Sequence, residues 1–371
     1  MAEPRWPLTA RDVLGVATVP PAPITRAGAR TRAALGALHD RLALPFQVLL
    51  ERLLTSLDGP ALHAIVELRV PDALDRPRTA AQLATVTGGD ADAIERLCSY
   101  LSARGCMKRD RRGRYRANGV TRLLRDERWA GWVRFVASPW SYAAMAQLPA
   151  RARAVMDPMT VANGAAFFDH LAAHPDASAA FHAAQAAGAR LQSVLLADAI
   201  DLDGVTSICD VGGSTGSVVA QFLTRHPNLR GCVLDLAEAE AGARETFGSA
   251  GIADRAEFVA GDFFTEVPSG HDLYLLTAVV HDWGDDDAVR ILRSCAAALP
   301  LAGRVAVVEL VLEPGDRASF AALSDVLMLA YTRGGRERGA ADFDALWERA
   351  GLRCVRETTL PSLFHVFELQ R

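Results

Sequence analysis

The chain lacks the features that would place it in several large protein classes. It has no run of about 18 apolar residues, so no membrane span is expected. Residues 1–7 contain no apolar signal-peptide core, so a cytoplasmic location is expected. The six cysteines are scattered without a Cys-x-x-Cys pair, which favours buried reduced thiols over disulfides or a metal site. A net charge of −4 gives no overall attraction to nucleic acid.

One glycine-rich stretch organises the second half of the chain. An apolar run ending at Val211 leads into Gly212, Gly213 and Gly216, and an apolar helical pattern follows. Glycine has no Cβ, so the backbone can adopt a positive φ and approach a ligand closely. The start of a helix offers N–H groups that have no partner within the helix. No Gly-Lys-Ser/Thr follows, which excludes a P-loop, and the dinucleotide spacing G-x-G-x-x-G is absent. The stretch predicts a strand, a tight turn and a helix that hold a nucleoside without gripping a phosphate.

The acid after the next predicted strand narrows the choice of ligand. Residues 231–234 end at Asp235, where one carboxylate can accept hydrogen bonds from both ribose hydroxyls. A glycine turn, no phosphate grip and a ribose-binding acid suit S-adenosylmethionine. An ordinary structural turn is the alternative at this point.

The first 120 residues predict a helical region that ends in a small hairpin. Residues 1–25 contain five prolines and predict an irregular arm with one short helix near 9–17. Helical patterns follow at 26–57 with a break at Pro45, at 59–74 with a break at Pro71, at 79–84 and at 90–104, before a hairpin over 107–116.

The last two helices and the hairpin together are typical of a winged helix, which raises a DNA-binding alternative. The hairpin is rich in basic residues that suit phosphates. The would-be recognition helix carries only Arg96 and Arg104, which favours a solvated hairpin instead.

From residue 205 the pattern changes to alternating strands and helices. This alternation predicts a doubly wound parallel sheet with helices on both faces. Ligands of such sheets bind at the carboxyl ends of the strands, where the glycine turn, Asp235, Asp262 and His281 all fall. Strands are predicted at 205–210, 230–234, 256–260, 272–277, 304–310, 353–357 and 364–369.

Five segments in the second half carry a resemblance to a known family. They are Asp-Val-Gly-Gly-Ser-Thr-Gly at 210–216, Leu-Asp-Leu at 234–236, Gly-Asp-Phe-Phe at 261–264, His-Asp-Trp-Gly-Asp-Asp at 281–286 and Gly-Gly-Arg-Glu-Arg at 334–338. With them, residues 60–369 resemble the S-adenosylmethionine-dependent O-methyltransferases of the plant caffeate type and their bacterial natural-product relatives.

The resemblance implies an architecture and an assembly. It implies a Rossmann-like doubly wound sheet of the class I methyltransferase type, preceded by a mostly helical, winged-helix-like domain that serves dimerisation and not DNA. The expected partners are an aromatic small molecule and a second copy of the chain, with no nucleic acid or membrane. The expected division is an N-terminal arm at 1–45, a dimerisation domain at 46–150, linking helices at 151–200 that line the acceptor pocket, and a cofactor-binding domain at 201–371.

The resemblance also implies which residues bind S-adenosylmethionine and its product S-adenosylhomocysteine. Asp235 would bind the ribose, Asp262 the adenine amino group, and Phe263 and Trp283 the adenine ring. The expected cofactor-binding residues are Asp210, Gly212, Gly213, Gly216, Asp235, Leu236, Gly261, Asp262, Phe263, Thr277 and Trp283.

His281 matches the general base of the family. A phenol has a pKa near 10, so little phenolate exists at neutral pH, and a histidine can accept the proton as the oxygen attacks the methyl group. The family's acidic partners of the base fall at Glu309 and Glu337, and Asp282 is a weaker candidate. No His/Asp cluster has ligand spacing, so no metal is expected.

The acceptor site departs from the family pattern. Thr277 stands where a basic residue is frequent, and Ser214 where glycine is usual. Gln185 replaces a methionine that clamps the acceptor, which implies a more polar or larger acceptor. The expected acceptor-binding residues are Phe168, Gln185, Asp282, Met328 and Thr332.

Two other functions stay open from the sequence. Some members of the family keep the cofactor pocket but catalyse hydroxylation, decarboxylation or cyclisation. A ligand-sensing winged-helix regulator is a second alternative.

Overall fold

The computed structural model describes residues 6–153, 157–313 and 319–371, so residues 1–5 of the expected arm lie outside the described residues. The chain divides into two compact units. The sheet unit comprises residues 1–34, 148–158 and 188–371, and the helical unit comprises residues 35–147 and 159–187. The division of the chain into four parts stays a prediction.

Among the described residues before the large sheet, the regular elements are helices and one hairpin. Its helices are α1 (Ala10–Leu14), α2 (Ala22–Arg41), α3 (Pro45–Thr55), α4 (Asp58–Glu67), α5 (Val70–Ala73), α6 (Ala80–Thr87), α7 (Ala91–Ala103), α8 (Gly119–Leu123), α9 (Glu127–Val136), α10 (Pro139–Met145), α11 (Leu148–Ala152), α12 (Pro158–Asn163), α13 (Phe167–Ala173) and α14 (Pro175–Leu196). Strands β1 (Lys108–Arg109) and β2 (Tyr115–Arg116) pair as an antiparallel hairpin between α7 and α8.

Strands and helices alternate in the remainder of the chain. They are β3 (Ser207–Val211), α15 (Ser217–Arg225), β4 (Arg230–Asp235), α16 (Glu240–Ser249), β5 (Ala256–Ala260), β6 (Leu273–Thr277), α17 (Asp285–Ala298), β7 (Arg304–Leu310), α18 (Phe320–Tyr331), α19 (Ala340–Ala350), β8 (Arg353–Thr359) and β9 (Phe364–Gln370). All seven strands predicted from residue 205 onward are confirmed.

The helix–turn–helix–hairpin predicted in the helical unit is also confirmed, and local capping explains it. Thr79 and Gln82 form a reciprocal capping box at the start of α6, and Gly88 ends that helix with a φ of 74°. Asp90 caps α7 by accepting the N–H of Ala93 at 2.8 Å. Ile94 on α7 is buried in the core of this unit.

Two basic residues of the hairpin and one of the would-be recognition helix have acidic partners within the helical unit. Arg109 donates to Glu95 at 2.5 Å and Arg104 to Asp58 at 2.8 Å, and Arg114 pairs with Asp110. Charges already neutralised by neighbouring carboxylates offer less to a phosphate backbone. The hairpin therefore fits the solvated-surface interpretation.

The sheet runs in the order β5-β4-β3-β6-β7-β9-β8. The first five of these strands are parallel, as predicted. The prediction of a wholly parallel sheet is wrong for the last two, because β9 runs antiparallel to both β7 and β8. Only residues 360–363 join β8 to β9, and so short a connection allows a hairpin but no parallel crossover. Buried apolar clusters cover both faces of the sheet.

The start of the described chain packs against the sheet unit. The backbone N–H of Leu8 donates to Gln221 Oε1 at 2.7 Å, and Gln221 Nε2 donates back to the carbonyl of Leu8 at 2.9 Å. Helix α2 begins at Ala22, so the prediction of an irregular arm to residue 25 is wrong over the last four residues. Pro23 lies in the first turn of α2, where its missing N–H costs no hydrogen bond. Within the described ranges, every helix is too short or too polar to cross a bilayer.

Candidate active site

The glycine turn joins β3 to α15 as predicted. Gly212 has a φ of 74° and Gly216 a φ of 70°, and Gly216 directly precedes the helix. A Cβ on Gly212 would lie 2.9 Å from Val279, and one on Gly216 would lie 2.6 Å from the ring of Phe247. Both the backbone conformation and the space therefore require glycine. Ser214 adopts a positive φ of 49° without being glycine.

Asp235 is fixed at the carboxyl end of β4. Its Oδ2 accepts the backbone N–H of Ser214 at 2.7 Å, and its Oδ1 accepts the N–H of Leu236 at 2.7 Å. The glycine turn and the end of β4 are thereby tied together. The binding of a ribose by Asp235 stays a prediction.

Two buried polar groups at this edge lack a partner among the described residues. Asp210 is 1% exposed, and neither carboxylate oxygen has a hydrogen bond. Burial, together with the charge of Asp235, raises the pKa of Asp210 to about 7. The hydroxyl of Thr277, at the end of the adjacent strand β6, is also buried and unpartnered. Native buried polar groups are normally satisfied, so these two fit a ligand that brings its own polar atoms, such as the amino-acid end of S-adenosylmethionine.

Aromatic rings lie near the third predicted acid, Asp262. Its Oδ1 accepts the N–H of Phe264 at 2.9 Å, which orders the turn after β5. Trp283 packs edge-on against Phe263 at 5.9 Å and Phe264 at 4.6 Å between ring centroids. Gly261 leaves room for this turn, since a Cβ there would lie 3.0 Å from Leu234. The group has the apolar faces and the acceptor that an adenine requires.

His281 follows β6, and Glu309 on β7 holds it in place. Glu309 is fully buried, and its Oε2 lies 2.7 Å from His281 Nδ1. Its other oxygen, Oε1, accepts the backbone N–H groups of Val279 at 3.0 Å, Val280 at 2.6 Å and His281 at 3.3 Å. The carboxylate therefore fixes both the turn and the imidazole, with Nδ1 occupied and Nε2 directed elsewhere.

Two more acids surround the imidazole. Asp282 Oδ1 lies 3.5 Å from His281 Nε2, and donor atoms of His281, Glu309 and Glu337 lie within 4.8 Å of one another. Burial by itself lowers the pKa of His281, but Glu309 and Asp282 more than offset it, and the pKa rises to about 10. Burial raises the pKa of Glu337 to about 7. This convergence of three ligand-type side chains is invisible in the sequence spacing, and the expectation that no metal is required stays a prediction.

Glu337 is held by a different set of contacts. It is 1% exposed, and its Oε1 accepts the hydroxyl of Ser324 at 2.7 Å. Its backbone N–H donates to Asp325 at 2.9 Å, and its Oε2 has no partner among the described residues. One oxygen thus remains available near His281.

Arg338 is a site residue that the sequence reasoning missed. It is 1% exposed and donates to the carbonyls of Val280 at 3.0 Å and Trp283 at 2.8 Å, and to Asp285 at 2.8 Å. The guanidinium therefore contacts the backbone on both sides of His281. The sequence offered a signal, because Asp285 and Arg338 lie in the fourth and fifth of the five family-like stretches.

Comparison with known proteins decides the family. The O-methyltransferase domain matches residues 146–353, and the O-methyltransferase dimerisation domain matches residues 50–126. The chain belongs to the S-adenosylmethionine-dependent O-methyltransferases. The DNA-regulator alternative is thereby set aside, and the predicted class I methyltransferase fold with its cofactor S-adenosylmethionine is confirmed.

Three relatives show how far the similarity extends. A mitomycin biosynthesis 6-O-methyltransferase of Streptomyces lavendulae is 36% identical over 80% of this chain and 86% of its own length. A solved O-methyltransferase from neocarzinostatin biosynthesis, in complex with S-adenosylmethionine and 2-hydroxy-5-methyl naphthoic acid, is 32% identical, with a TM-score of 0.70 over 84% of this chain and 95% of that one. The aclacinomycin 10-hydroxylase of Streptomyces purpurascens is 37% identical over 55% of this chain and 56% of its own length.

The expected acceptor residues of this methyltransferase fall in both units. Met328 and Thr332 lie at the end of α18 in the sheet unit, where the Thr332 hydroxyl donates to the Met328 carbonyl at 2.9 Å. Phe168 and Gln185 lie on α13 and α14 in the helical unit. Phe168 is 46% exposed and packs edge-on against Phe167. Their contact with an acceptor stays a prediction.

We expect the Arg338→Lys variant to lose activity, because an ammonium group cannot reproduce the forked contacts to two carbonyls and Asp285. The segment carrying His281 would shift, and kcat should fall by about 10-fold or more. Arg336→Lys is the matched control, since Arg336 pairs with Asp342 at the surface. The measurement is kcat of both variants beside their unfolding midpoints. Equal kcat values for the two variants would contradict the positioning role.

We expect Glu309→Gln to move the acid limb of the kcat/KM profile to lower pH. Removing an anion beside the imidazolium destabilises the charged form, so the pKa of His281 falls and its neutral form persists at lower pH. The shift should be about one unit or more, alongside a lower maximal rate. Glu357→Gln is the matched control, because Glu357 pairs with His365 at 2.5 Å at the far edge of the sheet. If the acid limb of Glu309→Gln did not move, the group that titrates in the kcat/KM profile would not be His281.

Proposed function

We propose that this methyltransferase methylates a phenolic or enolic hydroxyl of an aromatic natural product, with His281 as the general base. The observation that carries the proposal is the hydrogen bond between buried Glu309 and His281 Nδ1. It leaves Nε2 as the proton acceptor for a hydroxyl. A related enzyme with a naphthoic acid bound supports an aromatic acceptor of this kind.

The bound cofactor supplies a methyl group on a sulfonium, which is already a good electrophile. The chain's residues then have two tasks, to align the acceptor oxygen with the methyl carbon and to take its proton. As the oxygen–carbon bond forms and the carbon–sulfur bond breaks, His281 accepts the hydroxyl proton at Nε2. Glu309 stabilises the resulting imidazolium and keeps the ring oriented.

The raised pKa of His281 sets a condition on this chemistry. With a pKa near 10 the imidazole holds a proton in the free enzyme at neutral pH. His281 loses that proton more readily beside a sulfonium, because a nearby positive charge lowers the pKa of a cationic acid. We infer that His281 becomes a base mainly in the complex with S-adenosylmethionine, before the acceptor reacts.

The cofactor and acceptor contacts complete the proposal. In this proposal Asp235 binds the ribose and Asp262 the adenine amino group, and the rings of Phe263 and Trp283 pack on the adenine. Asp210 and Thr277, whose buried side chains have no hydrogen-bond partner among the described residues, face the amino-acid end of the cofactor. The proposed acceptor-binding residues are Asp282, Met328 and Thr332 in the sheet unit and Phe168 and Gln185 in the helical unit.

A product assay with methyl-labelled S-adenosylmethionine tests the proposal. Polyphenolic and polyketide acceptors are offered to wild type, to His281→Ala and to His226→Ala, an exposed histidine that serves as control. We expect labelled methyl on oxygen with wild type and the control, and a loss of about 100-fold or more with His281→Ala. Full transfer by His281→Ala would keep the enzyme class and remove His281 from the mechanism.

The similarity to the aclacinomycin 10-hydroxylase favours one alternative, a hydroxylation that uses the same cofactor pocket. The same assay separates the two, because methyl transfer adds CH₂ to the product and hydroxylation adds oxygen without consuming the label. The intact pair of His281 and Glu309 supports methyl transfer.

We propose further that the enzyme is a homodimer with interlocked N-terminal helices. The matched dimerisation domain supports this assembly. The leucine-rich side of α2 and α3 also supports it, because so many exposed leucines on one surface are unusual for a monomer. Its members are Leu35, Leu38, Leu42, Leu49, Leu50, Leu53 and Leu54, each more than half exposed.

We expect the double variant Leu49→Lys with Leu53→Lys to be monomeric, because two buried lysine charges in an apolar interface would be costly. Leu301→Lys is the control, since Leu301 is fully exposed on the sheet unit. Light scattering after size exclusion should give twice the chain mass for wild type and control, and the single mass for the double variant. A dimer that survives both lysines would place the interface elsewhere.

A further inference from the structure

Two cysteines lie side by side in the sheet, away from the catalytic histidine. Cys209 on β3 and Cys232 on β4 are direct partners in the parallel register, so their side chains project from the same face. Both residues are fully buried in the cluster that covers that face. Neither takes part in the proposed methyl transfer.

A histidine completes the group. His271 lies in the loop before β6 and is half-buried. Its Nδ1 atom is buried and has no hydrogen-bond partner among the described residues. One of its ring nitrogens and the two sulfurs lie within 4.8 Å of one another.

We propose that Cys209, Cys232 and His271 form a binding site for a thiophilic divalent cation of the Zn²⁺ class. Thiolate sulfur and imidazole nitrogen are ligands that such cations prefer. The spacing fits, because bonds of about 2.3 Å to sulfur in tetrahedral geometry place two sulfurs about 3.8 Å apart. The described residues supply three ligands, and a water would take the fourth position.

Charge balance favours a divalent cation. Two thiolates and neutral imidazole around M²⁺ form a group without net charge, and burying a neutral group costs far less than burying an ion. Binding releases two thiol protons to solvent.

The loop that carries His271 is held in position by the sheet. The Tyr274 hydroxyl donates to the carbonyl of Pro268 at 2.7 Å, and the Tyr274 ring packs edge-on against His271 with 5.9 Å between centroids. The third ligand is therefore already positioned over the sulfurs. Its partial exposure gives an ion a route from solvent.

The site would join the two strands that carry the cofactor loops. Cys209 directly precedes Asp210, and Cys232 lies three residues before Asp235. A cation bound to both sulfurs would clamp β3 to β4 below the glycine turn. We therefore expect it to stabilise the folded chain without touching S-adenosylmethionine.

Cadmium is the sharpest probe, since its bonds to thiolates absorb in the ultraviolet and its bonds to carboxylates do not. Reduced, chelator-treated full-length enzyme is titrated with Cd²⁺ and, separately, with Zn²⁺ while unfolding is followed by heating. We expect thiolate absorption that saturates at one equivalent. At a free Zn²⁺ concentration 100-fold above Kd, the unfolding midpoint should rise by about 3 °C.

Matched variants decide which residues bind. His271→Gln and Cys232→Ser should lose the absorption and the thermal shift, whereas Cys98→Ser, a buried thiol of the helical unit, should keep both. His271→Gln replaces a half-buried side chain, so it remains informative if Cys232→Ser fails to fold. His281→Ala should also keep the thiolate signal, which separates this site from the cluster of His281, Glu309 and Glu337.

Three outcomes would overturn the proposal. One is the absence of thiolate absorption in fully reduced wild type. Another is a signal that survives in both His271→Gln and Cys232→Ser. The third is a disulfide between Cys209 and Cys232 that forms in air and that Zn²⁺ does not prevent.

Discussion

The buried carboxylate of Glu309 is the constraint on which the catalytic end of the sheet depends. An ionised carboxylate inside a protein is costly unless every oxygen has partners. Here one oxygen takes three backbone N–H groups from residues 279–281 and the other takes His281 Nδ1. The turn after β6 must therefore curl around the end of β7, and Ala278 accepts a φ of 56° to allow it. The position of His281 follows from satisfying this one acid.

At the edge of the sheet where the cofactor is expected, some buried polar groups are in the opposite situation from Glu309. Asp210 and Thr277 are buried and have no hydrogen-bond partner in the described part of the chain, while their neighbours Asp235 and Asp262 are held by backbone N–H groups. Buried polar groups normally have hydrogen-bond partners, and the exceptions usually lie at binding sites. A ligand that brings donors to these two groups gains binding energy that the free protein leaves unused. The same edge thus combines two acids that backbone N–H groups hold in place with two polar side chains that a ligand could bind.

Much of this arrangement could be predicted from the sequence, because the strands are continuous apolar runs and their carboxyl ends carry the acids. The antiparallel pair β8 and β9 was predictable too, since only four residues join the strands, but the preceding alternation of strands and helices pointed to parallel pairing. The burial of Arg338 and its contacts were not predictable, because arginine is rarely buried and its partners lie more than 50 residues away. The convergence of Cys209, Cys232 and His271 depends on strand register, which composition does not reveal.

The charges around His281 connect the site to the order of binding. Three carboxyl groups, Asp282, Glu309 and Glu337, face one imidazole, and together they hold its proton. In the proposed mechanism this cluster of carboxyl groups would attract the positively charged cofactor. A positive charge placed near the imidazole would lower the pKa of His281 and favour release of its proton. Loss of that charge on methyl transfer would raise the pKa of His281 again, so the same acids would then help to hold the proton taken from the acceptor.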